Sequence, residues 1–96
     1  MDKKEIRAKE IMRNIGQVLL REWDPIGVKD APEAQDEYDS YVGSLYRLLA
    51  SNSSAEKIAE HLAKIEYEQM GLSKRKIGDL LPIAKRLLSI DISVLG

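Results

Sequence analysis

Residues 3–22 have the sequence KKEIRAKEIMRNIGQVLLRE, in which apolar residues recur every three or four positions. Such spacing predicts an amphipathic α-helix whose apolar side chains share one face of ~120°. The residues on that face are Ala8, Ile11, Met12, Ile15, Val18 and Leu19. Ile6 and Leu20 project from the opposite side, so the helix is expected to contact neighbours on both faces. Pro25 disfavours helical geometry at Asp24, and the helix should therefore end near Trp23.

A second helix is predicted after a turn at Gly27, with Asp30 as its cap and Pro32 in its first turn. Its apolar face is broad, which indicates contact with two other helices. That face comprises Tyr38, Val42, Leu45, Tyr46 and Leu49, flanked by Tyr41 and Leu48. The polar residues 51–54 then separate this helix from the next one and form the clearest break in the chain.

The third and fourth helices follow from the same spacing. Ser53 has capping-box spacing to a glutamate three residues later, and Gly71 is expected to end the third helix in the left-handed conformation. Ser73 is the predicted cap of the fourth helix. Pro82 should either kink that helix or lie in the first turn of a new one capped by Asp79. The two apolar faces consist of Ala55, Ile58, Leu62 and Ile65, then of Ile77, Leu80, Ala84, Leu87 and Leu88.

These helices predict an all-α fold, a single-domain bundle of about four helices with short connections that spans residues 1–96. The composition agrees, because 44% of the residues are hydrophobic and nearly all of these are aliphatic, with one Trp, four Tyr and no Phe. Leu and Ile on helices form such a core more readily than a sheet rich in Val and Phe would. The tail, residues 91–96, is expected to be loose.

The composition also limits the cellular setting. The chain contains no Cys, which excludes disulfides, zinc ribbons and thiol catalysis. Its charged start lacks the apolar core of a signal peptide, and no run approaches the ~18 apolar residues of a membrane span. We therefore expect a cytoplasmic protein without membrane contact. The net charge of −1 argues against a strongly basic nucleic-acid surface.

Charge is distributed unevenly along the chain. Residues 22–39 carry seven acids against Lys29, a local charge of −6, so the rest of the chain carries +5. The acids are Glu22, Asp24, Asp30, Glu33, Asp36, Glu37 and Asp39. Either they stabilise a helix N-terminus through the helix dipole, or they form a binding surface. Tyr38 and Tyr41 lie among them, and tyrosines with a polar rim are common at protein interfaces.

The aromatic residues divide into two groups. Trp23 and Tyr46 are expected in the core, where they would close the end of the bundle near the loop. Tyr41 flanks the main apolar arc, and Tyr67 lies opposite the core face of its helix. These two tyrosines are therefore the better candidates for exposed contacts.

No residue pattern predicts catalysis, a metal site or a cofactor. His61, the only histidine, lies on the flank of the third helix and is expected to be a partly buried structural residue. Glu60 and Glu66 do not form an i, i+4 pair with it, so no metal site is predicted. The six Gly are scattered, and neither the dinucleotide-binding nor the P-loop pattern occurs. We therefore expect a protein that is not an enzyme.

DNA binding is the alternative function. Residues 58–77 have features of a degenerate helix-turn-helix, in which Gly71 makes the turn and Ser73 caps the recognition helix. Three basic residues would then meet DNA: Lys74, Arg75 and Lys76. The long third helix and the helix breaker Pro82 weigh against this interpretation, so nucleic acid is the less favoured partner.

Two blocks of sequence resemble a known family. Residues 19–28, LLREWDPIGV, and residues 36–41, DEYDSY, resemble a family of small uncharacterised bacterial proteins. That family carries a central Trp-Asp-Pro-(Ile/Leu)-Gly, then Asp-Glu-Tyr-Asp, then a helix like residues 58–70. The resemblance covers most of the chain and implies a bacterial, cytoplasmic, helical protein, but it brings no activity with it. It also implies that the distinguishing positions are Trp23, Asp24, Pro25, Gly27, Tyr38 and Asp39.

Together these observations predict a small non-enzymatic interaction protein, such as an adaptor, an antitoxin-like or immunity-like binder, or a subunit of an assembly. Its partner is expected to be a basic protein that meets the acidic segment. The predicted contact residues are Asp36, Glu37, Tyr38, Asp39 and Tyr41. Formation of a homodimer through Ile6, Leu20 or Tyr67, which lie off the main apolar faces, is a further hypothesis.

Overall fold

The computed structural model describes residues 3–93, and all regular structure within them is helical. Four α-helices form a single bundle, as the sequence predicts. Their bounds are α1 Lys3–Val18, α2 Asp39–Ala50, α3 Ala55–Lys64 and α4 Ile77–Leu88. The pair α3 and α4 has the most extensive contact, α2 packs on α1, and α1 also contacts α4. Over this part of the chain, no helix has the length and apolar character that crossing a membrane requires.

Most residues of the predicted apolar faces meet in one core, but Met12 and Leu88 are 37% and 40% exposed, so their predicted core positions are wrong. Trp23 belongs to the core as expected, and Tyr46 is half-buried against it. Leu20 also joins the core, which confirms a contact on the second side of the first helix, whereas Ile6 remains 43% exposed. The full set is Ile11, Ile15, Val18, Leu19, Leu20, Trp23, Tyr38, Val42, Leu45, Leu49, Ile58, Ala59, Leu62, Ile65, Leu80, Ala84 and Leu87.

Both α1 and α3 continue into a π-helical segment, Leu19–Trp23 after α1 and Ile65–Gln69 after α3. The amide of Asp24 donates to the Leu19 carbonyl at 2.8 Å, and the amide of Met70 donates to the Ile65 carbonyl at 3.1 Å. These bonds join residues five apart, the spacing of a π-helix. Wide turns of this kind are frequent at functional sites. The two segments are joined by a hydrogen bond between Trp23 of the first and Glu66 of the second.

Helix α2 begins later than predicted. Pro32 opens a short 3-10 helix, Pro32–Ala34, whose preceding residue is Ala31 rather than Asp30 and makes no capping hydrogen bond. The α-helix itself starts only at Asp39. Just before that start, the ring of Tyr38 packs against the ring of Trp23 with centroids 5.3 Å apart. This contact between distant residues outweighs the local preference of Pro32 for the first turn of an α-helix.

Two other predicted caps are displaced. Ser54, not Ser53, caps α3, and its hydroxyl accepts a hydrogen bond from the Lys57 amide at 3.2 Å. Helix α4 begins at Ile77 without a side-chain cap, so the predicted cap at Ser73 is wrong. Residues 71–76 have no regular secondary structure instead, and they connect the end of the second π-helical segment to α4.

Pro82 lies inside α4, beyond its first turn. The predicted new helix with Asp79 as its cap is therefore wrong, because the helix has already begun two residues before that aspartate. The glycine predictions are confirmed, since Gly27 and Gly71 have φ angles of 67° and 68°. Both glycines end a helical stretch or turn in the left-handed region, which a side chain would disfavour.

The start of the predicted loose tail lies against α1. Arg7 donates from Nη2 to the carbonyl oxygen of Asp91 at 2.7 Å and from Nε to that of Ser93 at 2.9 Å. Residues 94–96, the rest of that tail, lie outside the described residues.

Candidate functional site

Two of the seven acids in residues 22–39 have structural partners. Asp24 ends the first π-helical segment with φ 32°, and its carboxylate accepts hydrogen bonds from the amides of Val28 at 2.7 Å and Lys29 at 3.1 Å. Glu22 pairs with Arg86 of α4 at 3.1 Å. These acids therefore close the loop after the segment and link it to the last helix.

The other five acids have no such partner. All are exposed, and within residues 3–93 none makes an ion pair or a side-chain hydrogen bond. They are Asp30, Glu33, Asp36, Glu37 and Asp39. Neither the 3-10 helix nor α2 has a side-chain hydrogen bond at its N-terminus. Capping by hydrogen bonds therefore does not account for the position of these acids, whereas Glu33 and Asp39 do lie in the first turns of the 3-10 helix and of α2, where the helix dipole favours acids. We call the exposed face of residues 30–39 the acidic surface.

The two predicted contact tyrosines differ in exposure. Tyr38 is only 2% exposed, and its hydroxyl donates to Asp24 Oδ1 at 2.7 Å. Its burial between Trp23 and the loop removes its ring from the acidic surface, which corrects the predicted surface role. Tyr41 is half-buried and meets Trp23 edge-on, with ring centroids 6.1 Å apart. Tyr67, on the second π-helical segment, is 51% exposed, as predicted.

Asp24 and Tyr38 also set each other's ionisation. Burial disfavours the charged form of Asp24, but hydrogen bonds from Tyr38 and from the amides of Val28 and Lys29 outweigh it, so the pKa of Asp24 lies below its ordinary value. Burial and the hydrogen bond to Asp24 raise the pKa of Tyr38 well above its ordinary value. At neutral pH the pair therefore consists of a carboxylate and a neutral hydroxyl donor.

A second polar cluster joins the two π-helical segments. Glu66, 3% exposed, accepts from Trp23 Nε1 through Oε2 at 2.7 Å. Arg75 donates to the same carboxylate through Nε at 3.1 Å and Nη2 at 2.5 Å. A bidentate guanidinium supplies both the charge and the geometry that a buried carboxylate needs. The sequence offered one signal that Glu66 is buried. It follows Leu62 by four residues and so lies at the edge of the buried face of the helix.

The basic residues of the DNA-binding alternative do not lie on a recognition helix. Lys74, Arg75 and Lys76 belong to the stretch without regular structure that precedes α4. Arg75 is committed to Glu66, and Lys74 Nζ lies over the Tyr67 ring, 5.1 Å from its centroid. The predicted recognition helix at these residues is therefore wrong, since they precede α4 and Arg75 bonds to the buried carboxylate of Glu66.

His61 is partly buried, as predicted, and joins α3 to α2. Its Nε2 lies 2.8 Å from the hydroxyl of Ser44, which also donates to the Tyr41 carbonyl at 3.0 Å. Burial, helped by the nearby charge of Lys64, lowers the pKa of His61. Within residues 3–93, no three His, Asp or Glu side chains come together in a group that could hold a metal ion.

Comparison with known protein families, with curated proteins and with solved structures found no match to this chain. The resemblance to bacterial proteins with the Trp-Asp-Pro-(Ile/Leu)-Gly block therefore stays a prediction. Two of the positions that it singles out, Asp24 and Tyr38, are joined by a hydrogen bond, and Trp23 packs on Tyr38. These contacts give Trp23, Asp24 and Tyr38 a shared structural role, which is one reason for the Trp-Asp-Pro and Asp-Glu-Tyr-Asp blocks to occur together.

Proposed function

We propose that this protein is a non-enzymatic cytoplasmic interaction module, of the adaptor, antitoxin-like or immunity-like kind, that binds a basic protein through the acidic surface. The observation that carries the proposal is the set of five exposed carboxylates within residues 30–39 that form no ion pair within residues 3–93. By contrast, Asp24 and Glu22 at the edge of the same segment are both engaged in structural bonds.

The charge of the acidic surface favours a basic partner on physical grounds. Carboxylates packed into ten residues repel one another, and this repulsion is unfavourable for the isolated protein. A partner that brings Lys or Arg relieves the repulsion, and complementary charge also raises the association rate and excludes acidic competitors. The interaction is expected to weaken with salt, because exposed charges are screened within about 8 Å at physiological ionic strength.

The acidic surface is also held in a defined shape. Its N-terminal side adjoins the loop closed by the Asp24 carboxylate, and its C-terminal side continues into α2. Between them, Tyr38 anchors the segment through its hydroxyl bond to Asp24 and its contact with Trp23. A surface ordered before binding loses less entropy in the complex, so buried Tyr38 supports recognition without touching the partner.

A charge-reversal pair tests the proposal. Asp36→Lys together with Glu37→Lys removes two exposed carboxylates that make no bond within the described part of the chain. The matched control is Glu5→Lys together with Glu60→Lys, which makes the same change in net charge at exposed positions on α1 and α3. Both variants should keep the helical circular dichroism of the natural chain.

The readout is affinity capture from a nuclease-treated lysate of the host at low and moderate salt. We expect the natural chain and the control to capture the same basic protein, with a yield that falls as salt rises. The Asp36/Glu37 variant should lose it. Equal capture of the basic protein by this variant would contradict the proposal. So would a parallel experiment in lysate without nuclease in which the natural chain captures only nucleic acid.

A further inference from the structure

A groove of about 420 Å³ runs along the surface where α1 and α2 meet. Small and apolar residues form its floor, namely Gly16 of α1, Leu20 of the π-helical segment that follows α1, and Val42 and Gly43 of α2. Lys9 and Arg13 of α1 stand on one rim, and Asp39 at the start of α2 stands on the other. Neither Trp23 nor Glu66 lines this groove.

The two rims carry opposite charges that stay apart within one chain. Lys9, Arg13 and Asp39 are exposed, and none of them forms an ion pair within residues 3–93. A single occupant that satisfies both rims must therefore present an acid to α1 and a base to Asp39. The spacing between those two charges must match the width of this groove.

Apolar side chains accompany the basic rim. Met12 is 37% exposed at the groove, and Ile6 is 43% exposed. Ile6, Lys9, Arg13 and Gly16 follow one another at intervals of three or four residues, so they share one face of α1. This face combines exposed apolar groups with unpaired charge, as a polar-rimmed contact surface does.

We propose that the groove is an interface with a second copy of this chain, in which the two α1 helices pack antiparallel about a two-fold axis near Met12 and Arg13. Such a pairing places Lys9 of one copy opposite Gly16 of the second copy. Asp39 stands at that position, because its Oδ1 would lie 3.9 Å from a Cβ atom added to Gly16. Two-fold symmetry makes each contact twice, so one chain supplies both the base and the acid that the rims require.

The glycines of the floor fit the same arrangement. A Cβ on Gly16 would meet Val42 Cγ2 at the ordinary distance of 3.8 Å, and a Cβ on Gly43 would meet nothing within 4 Å. Packing within the chain therefore requires neither glycine, although glycine is unfavourable inside a helix. Close approach of the second α1 backbone gives both positions a reason to lack a side chain.

A charge swap tests the interface. Sedimentation equilibrium of the purified chain, from about 1 µM to about 1 mM, should show a reversible dimer. Lys9→Glu and Asp39→Lys each place like charges together at both symmetric contacts, and each should raise the dimer Kd by about tenfold or more. An equimolar mixture of the two variants restores opposite charges at both contacts, and it should dimerise as the natural chain does.

The mixture separates the interface from any effect on folding, since neither variant can rescue the other unless the two residues meet. Lys57→Glu, at an exposed position of α3, is the control and should leave the dimer unchanged. The proposal is overturned if the natural chain stays monomeric over the whole concentration range. It is also overturned if the mixture of Lys9→Glu and Asp39→Lys dimerises no more than either variant alone. The inference shares only Asp39 with the acidic surface. Lys9→Glu leaves all five acids of that surface unchanged, so this variant should still capture the basic partner and the two proposals can fail separately.

Discussion

Arg75→Ala should destabilise the fold although Arg75 lies in a stretch without regular structure that resembles a solvated basic turn in the sequence. The variant leaves the Glu66 carboxylate, whose side chain is 4% exposed, with the Trp23 indole as its one remaining side-chain donor within residues 3–93. Removing one partner of a buried ion pair costs about 3–5 kcal/mol. The Arg75 side chain is 33% exposed, so water can partly replace it, and we expect the low end, about 3 kcal/mol. That is a large share of the ~5–15 kcal/mol that stabilises a typical domain.

The assay is urea unfolding followed by far-ultraviolet circular dichroism and by the fluorescence of Trp23, the only tryptophan. Lys76→Ala is the matched control, and it should change the free energy of unfolding by less than about 0.5 kcal/mol. The fluorescence of Trp23 in Arg75→Ala should differ from that of the natural chain even at urea concentrations below the unfolding transition. The reason is that the indole N–H donates to the Glu66 carboxylate, which loses its counter-charge in this variant.

A second substitution identifies the cause. Glu66→Gln in the Arg75→Ala background removes the stranded charge, while the amide oxygen can still accept from Trp23. The double variant should therefore be more stable than Arg75→Ala alone by about 1–2 kcal/mol. The reasoning is refuted if Arg75→Ala loses less than about 1 kcal/mol, or if the double variant is less stable than the single one.

Two further predictions concern ionisation. Tyr38→Phe keeps the ring but removes the donor to Asp24, and it should cost about 1 kcal/mol at neutral pH. The folded pKa of Asp24 is below its unfolded value, so its stabilisation is present above about pH 4 and lost as pH falls. The gap between Tyr38→Phe and the natural chain should then narrow in acid, and a pH-independent gap would count against the Asp24 bond. For His61, the folded pKa is lowered, so the unfolded state binds the proton more readily below about pH 6.5. Urea unfolding should show stability falling between pH 7 and 5, with a flatter profile for His61→Gln, whereas equal profiles would exclude this role for His61.

The sequence determined the helices because their signal is local. Apolar residues at a helical period bury together whatever the topology, so the core positions Ile11, Leu45 and Leu62 follow from spacing alone. The breaks at Trp23, at residues 51–54 and at Gly71 follow from proline, serine and glycine chemistry, which acts within a few residues. The uneven charge was equally visible, since it requires only counting.

The tertiary structure decided which signals prevailed. Pro32 and Ser73 are both plausible helix starts, but α2 and α4 begin several residues later, where Tyr38 reaches Trp23 and Arg75 reaches Glu66. Those contacts join residues far apart in the chain, and no local spacing encodes their distance.

Tertiary structure also separated the acids by role. From the sequence, Asp24 and Asp36 are two members of one acidic run. In the folded chain Asp24 accepts from two backbone amides and a tyrosine hydroxyl, whereas Asp36 is exposed and forms no ion pair in residues 3–93. The sequence therefore determined where charge and apolar surface occur along each helix, because periodicity and composition are properties of the chain itself. Only the packed structure decided which charges are neutralised, since that depends on which distant side chains lie within hydrogen-bond distance.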